Sequence, residues 1–458
     1  MVKCLSRGLV NQYIAGASAC LSVVNSAACY GWVTPILDNI LGPDSVIPMT
    51  EEEASLAISI SELPGLIVPL PIGFLSNYIG RKPVLLASGP LFIISWLMIV
   101  LWPSMAMLMV ARIIQGIAVS LAFTAAPVYL GEIASDSFRG NITSIFFNCW
   151  WLGYLVEYAV GPYLSFIPFT YFTLALNVPF LVLFFWQLDS PYYYMMKGNE
   201  EKALESLQWF RDSTPEGLKE ELEKIKLSSE DLKKSLSMWD IVATPEDRKA
   251  LMLLMSLTAV RLLSGAGSLL VYATNIFDHT PNCLISSDNA TIMFGTVMLI
   301  GGCISSFTSD SLGRRPLLMI SCIGSFICQL FTGIYYYLLF NTSWDVSGYS
   351  WIAVALIILY SGLCSFGMFP VCAAYTSELF TSNTRGIASS LSTINANGVS
   401  FIALVAYQPT TDFLGLYANF IIYAVIVFVG GIYFYFAAPE TKGKSFHEIR
   451  TELCANTS

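Results

Sequence analysis

Long apolar runs separated by short polar turns recur from one end of this 458-residue chain to the other. They fall at about 10–33, 54–76, 84–103, 106–131, 141–163, 170–188, 250–277, 290–309, 316–340, 350–376, 389–408 and 416–437. A helix needs roughly 20 apolar residues to cross about 30 Å of hydrocarbon. In lipid a segment of this length satisfies its own backbone only as a helix, whereas transmembrane strands are half as long and alternate apolar with polar. The pattern therefore predicts an all-α membrane protein with twelve transmembrane helices: six, a polar gap, then six. The organisation expected from it is an N-terminal six-helix bundle over 1–188 and a cytoplasmic linker with short helices over 189–249. A C-terminal six-helix bundle over 250–438 and a cytoplasmic tail over 439–458 complete it.

Composition and charge add an orientation. Hydrophobic residues make up 55% of the chain and charged ones only 12%, against about 25% charged in soluble proteins. The net charge of −9 matters less than its placement. Of the 23 Lys and Arg residues, Arg112 and Arg261 fall inside predicted spans, and every other one lies on the side that holds both termini and the 189–249 segment. The opposite loops carry acids alone, among them Glu51, Glu52, Glu53, Asp278, Asp288 and Asp345. Such a bias marks the basic side as cytoplasmic. The sequons at Asn289 and Asn341 then fall outside as glycosylation candidates, and those at Asn141 and Asn456 fall inside.

The same survey narrows the chemistry. The first run follows Lys3 and Arg7 and is long enough to span, unlike the short core of a cleaved signal peptide. Eleven cysteines are scattered, mostly within spans, with only Cys283 in an outer loop, so an external disulfide is not expected. Two histidines and no CxxC or HxxxH spacing support neither a metal site nor a cofactor. With no phosphate-binding glycine loop and no nucleophile–base set, an enzyme is not expected either. The partners implied are a small-molecule solute and the lipid bilayer, not nucleic acid.

Within the polar gap, Ser213-Thr-Pro-Glu216 reads as a capping box ahead of an amphipathic helix. Flanking it, the two halves repeat each other. Gly73-Phe-Leu-Ser-Asn77-Tyr-Ile-Gly80-Arg81-Lys82 stands between spans two and three, and Asp310-Ser-Leu-Gly313-Arg314-Arg315 between spans eight and nine. Glu132 precedes Arg139-Gly140 at the same spacing at which Glu378 precedes Arg385-Gly386. Internal repeats of this kind underlie alternating access in many transporters, with solute held near the midplane. Tight turns need Gly, and basic residues anchor them at the surface. The matched acids go beyond topology: a charge network across neighbouring helices would hold an inner gate shut in one state and break in the other.

These residues resemble the sugar porters of the major facilitator superfamily over about residues 10–450. Pro439-Glu440-Thr441-Lys442-Gly443 matches the family's signature after the last span, and Asp189-Ser190-Pro191 matches its first-half counterpart less fully. Arg112, Pro127-Val-Tyr129 and Ser264-Gly265 match as well. Gly161-Pro162-Tyr163 and the KGKSFHEI tail resemble the insect-type trehalose and glucose carriers. The resemblance implies the major facilitator fold and facilitated movement of a hexose or trehalose-like disaccharide, by family expectation at the plasma membrane. It also implies sugar contacts that this chain alters. Arg261, Leu262 and Gly267 stand where the family has two Gln and an Asn, Phe147 stands at a Gln position beside Asn148, and Ala373 replaces a Trp near Pro370. Asn395 and Asn397 lie near the usual polar position of span eleven, and Asn77 replaces an Asp whose counterpart, Asp310, is kept.

Four ionisable groups, Glu62, Arg112, Glu157 and Arg261, lie inside predicted spans, where each costs at least about 2.5–3.5 kcal/mol at the centre unless paired or wet. In proton-coupled relatives an Asp on the first span partners the Arg112 position, yet no Asp or Glu occurs between Gly8 and Asp38. That favours uniport, with Glu62 and Glu157 keeping the coupling question open. Arg261 either pairs with Glu157 or Glu62, meets an anionic substrate, or closes a structural contact. Aromatic residues near span ends (Trp102, Tyr163, Tyr171, Trp344, Trp351) fit interfacial belts, and Trp150, Trp151, Tyr154 and Tyr272 are candidates to stack on a sugar ring. The expected cavity is lined around Asn148, Trp151, Arg261, Ser264, Pro370 and Asn395. The expected cytoplasmic gate comprises Arg81, Glu132, Arg139, Asp310, Arg314, Arg315, Glu378, Arg385 and Glu440. Two other readings share the scaffold: a carrier for a non-sugar, anionic solute, and a nutrient sensor that binds without transport.

Overall fold

The computed structural model describes residues 7–41, 45–135, 139–233, 241–242, 244–281, 284–380, 384–444, 448–449 and 451–452. The side chains of 38–39, 139–144, 228–233, 310 and 385 lie outside that description. Ten helices are long and apolar enough to cross a membrane: Arg7–Leu37, Arg81–Leu101, Met105–Ile133, Phe166–Phe185, Pro245–Asp278, Ser287–Ser309, Arg314–Asn341, Ser347–Glu378, Gly386–Leu414 and Leu416–Ala437. The pair Glu51–Ile67 and Pro69–Ile79 forms another crossing, bent by 54°, and the 22-residue helix Arg139–Val160 completes the set. In chain order these are spans 1 to 12, the bent pair second and Arg139–Val160 fifth.

Spans 2, 7 and 10, expected as single rods, are interrupted, each for a local reason. Span 2 carries Pro64 and Pro69 at the starts of its short helical pieces. Each proline removes an amide donor and crowds the preceding turn, so the ladder bends there. In span 7 the turn Leu262–Ala266 widens to a π-helix around Gly265, and in span 10 Cys364–Met368 does the same just before Pro370. Both wide turns sit partway along their spans, where a π-bulge re-aims side chains.

Helices in lipid associate through close packing rather than a hydrophobic drive. Spans 1 and 5 meet where a Cβ on Gly153 would lie 2.5 Å from Ala27. Between the halves two seams form. Span 5 lies on span 8, with Asn148 and Trp151 against Gly302, and span 2 lies on span 11, with Asn397 filling the space beside Gly65. Trp32 anchors the first half, 5.2 Å from Trp96 and 5.5 Å from Phe166 between ring centres.

The linker folds as helices Pro191–Met196, Glu200–Phe210 and Pro215–Lys233. Their apolar faces meet at Met195, Leu207, Leu218 and Ile225. The second helix ends against the start of span 1, where Gln12 Nε2 donates to Phe210 O at 2.6 Å and Asn11 Nδ2 to Trp209 O at 2.9 Å. The expected capping box is replaced by a single cap: Thr214 Oγ1 accepts from Gly217 N at 3.3 Å, one residue beyond Ser213. The start of span 1, the linker and the basic turns thus share one face, hereafter the linker face. Trp102, Tyr163, Tyr171, Trp344 and Trp351 are exposed at or near span ends, as an interfacial belt requires.

Candidate functional site

At the linker face, span 2 ends at Gly80 with φ 111°, a conformation nearly closed to residues with a Cβ. The turn brings Arg81 back so that its Nη1 donates to Ser76 O at 3.1 Å and its Nη2 reaches Glu132 Oε1 at 2.9 Å. A second carboxylate closes the cluster: Asp189 Oδ1 accepts from Lys82 N at 3.2 Å and from Ser190 N at 2.8 Å. Tyr129 donates to Leu188 O at 2.8 Å and ties the end of span 4 to the start of the linker.

The second half builds the same clamp. Gly313 turns with φ 92°. Arg314 Nη1 donates to Ser309 O at 3.0 Å, and Nη2 reaches Glu378 Oε1 at 3.0 Å. Glu440 takes the place of Asp189, accepting from Arg314 N at 3.0 Å, Arg315 N at 3.1 Å and Lys442 N at 2.9 Å. Tyr375 donates to Pro439 O at 2.7 Å, as Tyr129 does to Leu188. Arg315 is turned outward, to Tyr435 O at 2.6 Å. These ion pairs lie within each half, not across the halves as a gate network would need. The side chains of Arg139, Asp310 and Arg385 lie outside the described residues.

Between the halves lies a cavity of about 370 Å³, within the size range of pockets for small molecules. Its two walls differ in chemistry. The first half contributes Tyr30, Phe123, Phe147, Trp150 and Tyr154. Trp150 meets Phe123 and Tyr154 edge-on at 5.0 and 5.3 Å. The second half presents Ser389, Ser392, Thr393, Asn397 and Ser400 of span 11, a spacing that puts them on one helical face. An aromatic face opposite a row of hydroxyls suits a polyol ring, which has C–H faces and hydroxyl edges.

The cavity reaches toward the linker face, since Pro127, Leu130, Thr376 and Ser389 near that end line it. Toward the far face, hydrogen bonds join the halves. Thr34 Oγ1 and the Tyr158 hydroxyl both donate to Leu270 O, at 3.0 and 2.5 Å. Ser55 Oγ donates to Leu404 O at 3.3 Å, and Gln408 bonds Glu51. The cavity is thus bridged over toward the far face and extends toward the linker face.

Of the six residues expected to line the cavity, Arg261 does so. Its guanidinium lies 4.3 Å from the Phe369 ring centre. The expected pairing with Glu157 or Glu62 does not form. Glu157 is fully buried and accepts from Thr173 at 2.9 Å, while Glu62 accepts from Ser400 at 2.8 Å. The other five are placed elsewhere. Asn148 and Trp151 face Gly302, and Ser264 is buried against Tyr360 at 2.8 Å. Pro370 sits in the first turn of the last helix of span 10, and Asn395 Nδ2 donates to Met255 O at 3.0 Å. Arg112 is buried, with Nη1 on Cys29 O at 2.7 Å and Gln115 Oε1 at 3.2 Å and its charge over Trp32. Tyr272, expected to stack on solute, stacks on Tyr407 at 4.3 Å beyond the cavity. Asn289 and Asn341 are exposed at far-face helix ends.

Sequence reasoning missed two features of the cavity. One is the place of Glu62, which the sequence marks only as a charge within a span: it lies on the cavity wall, bonded across the halves to Ser400. The other is the polar face of span 11, although its signal was present: Ser389, Ser392, Thr393, Asn397 and Ser400 recur at helical spacing in an otherwise apolar run.

Comparison with known proteins agrees with this architecture. The family model described as sugar (and other) transporter matches residues 22–453. The facilitated trehalose transporter Tret1 of Bombyx mori is 28% identical over 453 residues, covering 98% of this chain and 88% of that protein. Tret1 of Culex quinquefasciatus is 29% identical, covering 89% and 78%. The partially occluded inward open conformation of the xylose transporter XylE from E. coli superposes with a TM-score of 0.78 at 20% identity, covering 96% of this chain and all of that one. Twelve helices in the major facilitator arrangement, a repeated clamp and a family match over nearly the whole length lead to one assignment: the chain belongs to the sugar (and other) transporter family.

Proposed function

We propose that this protein carries a sugar, a hexose or a trehalose-like disaccharide, down its gradient by alternating access. The two six-helix units 1–188 and 250–438 rock about the central cavity, with the linker face in the cytosol and the protein in the plasma membrane. The observation that carries the reading is the cavity itself: an aromatic wall opposite a hydroxyl wall, bridged over toward the far face and extending toward the linker face. Hydroxyls and amides both donate and accept, which suits a polyol with no fixed charge. The placement of Lys and Arg supports the orientation, and it leaves Asn289 and Asn341 outside, where glycans would sit.

Uniport follows from the surroundings of Arg112. The first span offers it a carbonyl and a cysteine sulfur, with no carboxylate to take up and release a proton. Purified full-length protein in proteoliposomes tests both parts. Radiolabelled glucose and trehalose should enter down their gradients, and collapsing an imposed proton gradient should change the rate less than about twofold. Accumulation against the sugar gradient, driven by protons, would refute uniport. No uptake of any sugar, with binding retained, would favour the sensor reading.

A further inference from the structure

Arg261 has no counter-charge among the described residues. Among the described residues its guanidinium makes no hydrogen bond or ion pair, and its Nε is buried and unpartnered. The side chain lines the central cavity, held over Phe369 with 4.3 Å between the guanidinium carbon and the ring centre. An aromatic face orients a guanidinium but leaves its N–H fork free and its charge uncompensated. When the cavity occludes and loses water, that charge needs a partner.

The cavity's own acid does not supply one. Glu62 is buried, accepts from Ser400 at 2.8 Å, and is met by the Tyr30 hydroxyl. Those bonds hold its carboxylate on the seam between spans 2 and 11, while Arg261 lies on Phe369 of span 10. The site is therefore two-ended. One end presents a free planar cation, the other a carboxylate and the Asn397 amide, which accept hydroxyl protons.

We propose that the solutes of this cavity include sugar acids, with Arg261 binding the carboxylate of a hexuronate while Glu62 and Asn397 take its ring hydroxyls. The inference rests on the sugar-carrier reading above and adds a charge to its substrate. A carboxylate matches the guanidinium fork with two parallel hydrogen bonds, which a neutral hydroxymethyl group cannot do. Lysine at the same place keeps the charge but loses the fork.

The test uses the full chain in proteoliposomes with radiolabelled D-glucuronate and D-glucose, and reads the ratio of their uptake rates. In the wild type, glucuronate enters and competes with glucose. Because a uniporter moving an anion moves charge, an inside-positive potential set with potassium and valinomycin speeds glucuronate uptake and leaves glucose uptake unaffected. Arg261→Gln lowers the glucuronate-to-glucose ratio by about tenfold or more, and Arg261→Lys recovers part of it. A ratio that shifts by less than about twofold in Arg261→Gln overturns the inference, as does a wild type that carries glucose but neither carries nor is inhibited by glucuronate. If neither sugar enters, the carrier reading fails with it. Should Arg261→Gln not reach the membrane folded, the wild-type competition and voltage response decide.

Discussion

The two clamps at the linker face share a plan and differ in depth. Arg81 and Glu132 are 3% and 15% exposed, whereas Arg314 and Glu378 are 15% and 26% exposed. The second acid differs as well: the first half uses the shorter Asp189 and the second half the longer Glu440. Asp189 is buried, and its Oδ1 accepts two backbone N–H bonds. Glu440 is half-buried and accepts three, from Arg314, Arg315 and Lys442. The same geometry therefore rests on burial in one half and on hydration and backbone donors in the other. Neither clamp's ion pair crosses between the halves, so each fixes the end of its own half. A rigid clamp at the end of each half is what rocking as a body requires.

The largest effect should come from breaking the buried pair. Removing one partner of a buried ion pair costs about 3–5 kcal/mol, because the other charge is left uncompensated. Glu132→Gln should therefore lower stability by about that amount. Glu378→Gln, at the wetter pair, should lose about 1–2 kcal/mol. Thermal unfolding of the two detergent-purified variants compares them directly. Equal losses would show that exposure does not separate the clamps.

Next come the glycines that turn the chain into each clamp. A Cβ on Gly80 would lie 2.2 Å from Asp189 Oδ2, and one on Gly313 would lie 2.6 Å from Glu440 Oε2. Both positions also have a backbone conformation that costs side-chain-bearing residues on the order of 1–3 kcal/mol. Gly80→Ala adds to this the closer collision, with the shorter and more deeply buried carboxylate, so it should destabilise more than Gly313→Ala. Glu440 is half-buried and has one more rotatable bond with which to yield. Yield and melting temperature rank the two variants, and the reverse order would contradict the proposed difference in rigidity.

Much of this was legible in the sequence. Twelve apolar runs and the matched Gly–Arg turns give the spans and the clamps, because hydrophobic length and repeated charge are one-dimensional signals. The members of the clamps stand out in that repeat, but their pairing does not: the sequence sets Glu132 beside Arg139 and Glu378 beside Arg385, whereas the fold pairs them with Arg81 and Arg314. The cavity was harder to read. Successive residues on a helix point about 100° apart, so Phe147 faces the cavity and Asn148 the neighbouring span, while Asn397 faces it and Asn395 does not. Which face turns inward is set by the helices packed around it. Arg261 stood out because a charge within an apolar run is conspicuous wherever it points. The bends were hidden for a different reason: Pro64 and Pro69 are visible in the sequence, but the angle they produce depends on packing.

The smallest effect separates the second acids, Asp189 and Glu440, by sign. Burial pushes the Glu440 carboxyl up, but the backbone N–H groups of Lys442, Arg314, Arg315 and Thr441 outweigh it and hold the carboxyl below its usual range. Its contribution is therefore present above the unfolded-state value, about pH 4.3, and is lost as pH falls through the lower folded value. Asp189 goes the other way, since burial outweighs the amides of Ser190 and Lys82 and raises its carboxyl. Its contribution is full below the unfolded-state value, about pH 3.9, and is lost as pH rises through the higher folded value. On acidification the two oppose each other. Glu440→Gln should track the wild type above about pH 4.3 and lose melting temperature less steeply than it below that point, whereas Asp189→Asn should lose it more steeply on the approach from neutral pH down to about pH 3.9. If both substitutions changed the slope in the same direction, the two carboxylates would have the same electrostatic environment, and the contrast between a buried and a hydrated clamp would not survive.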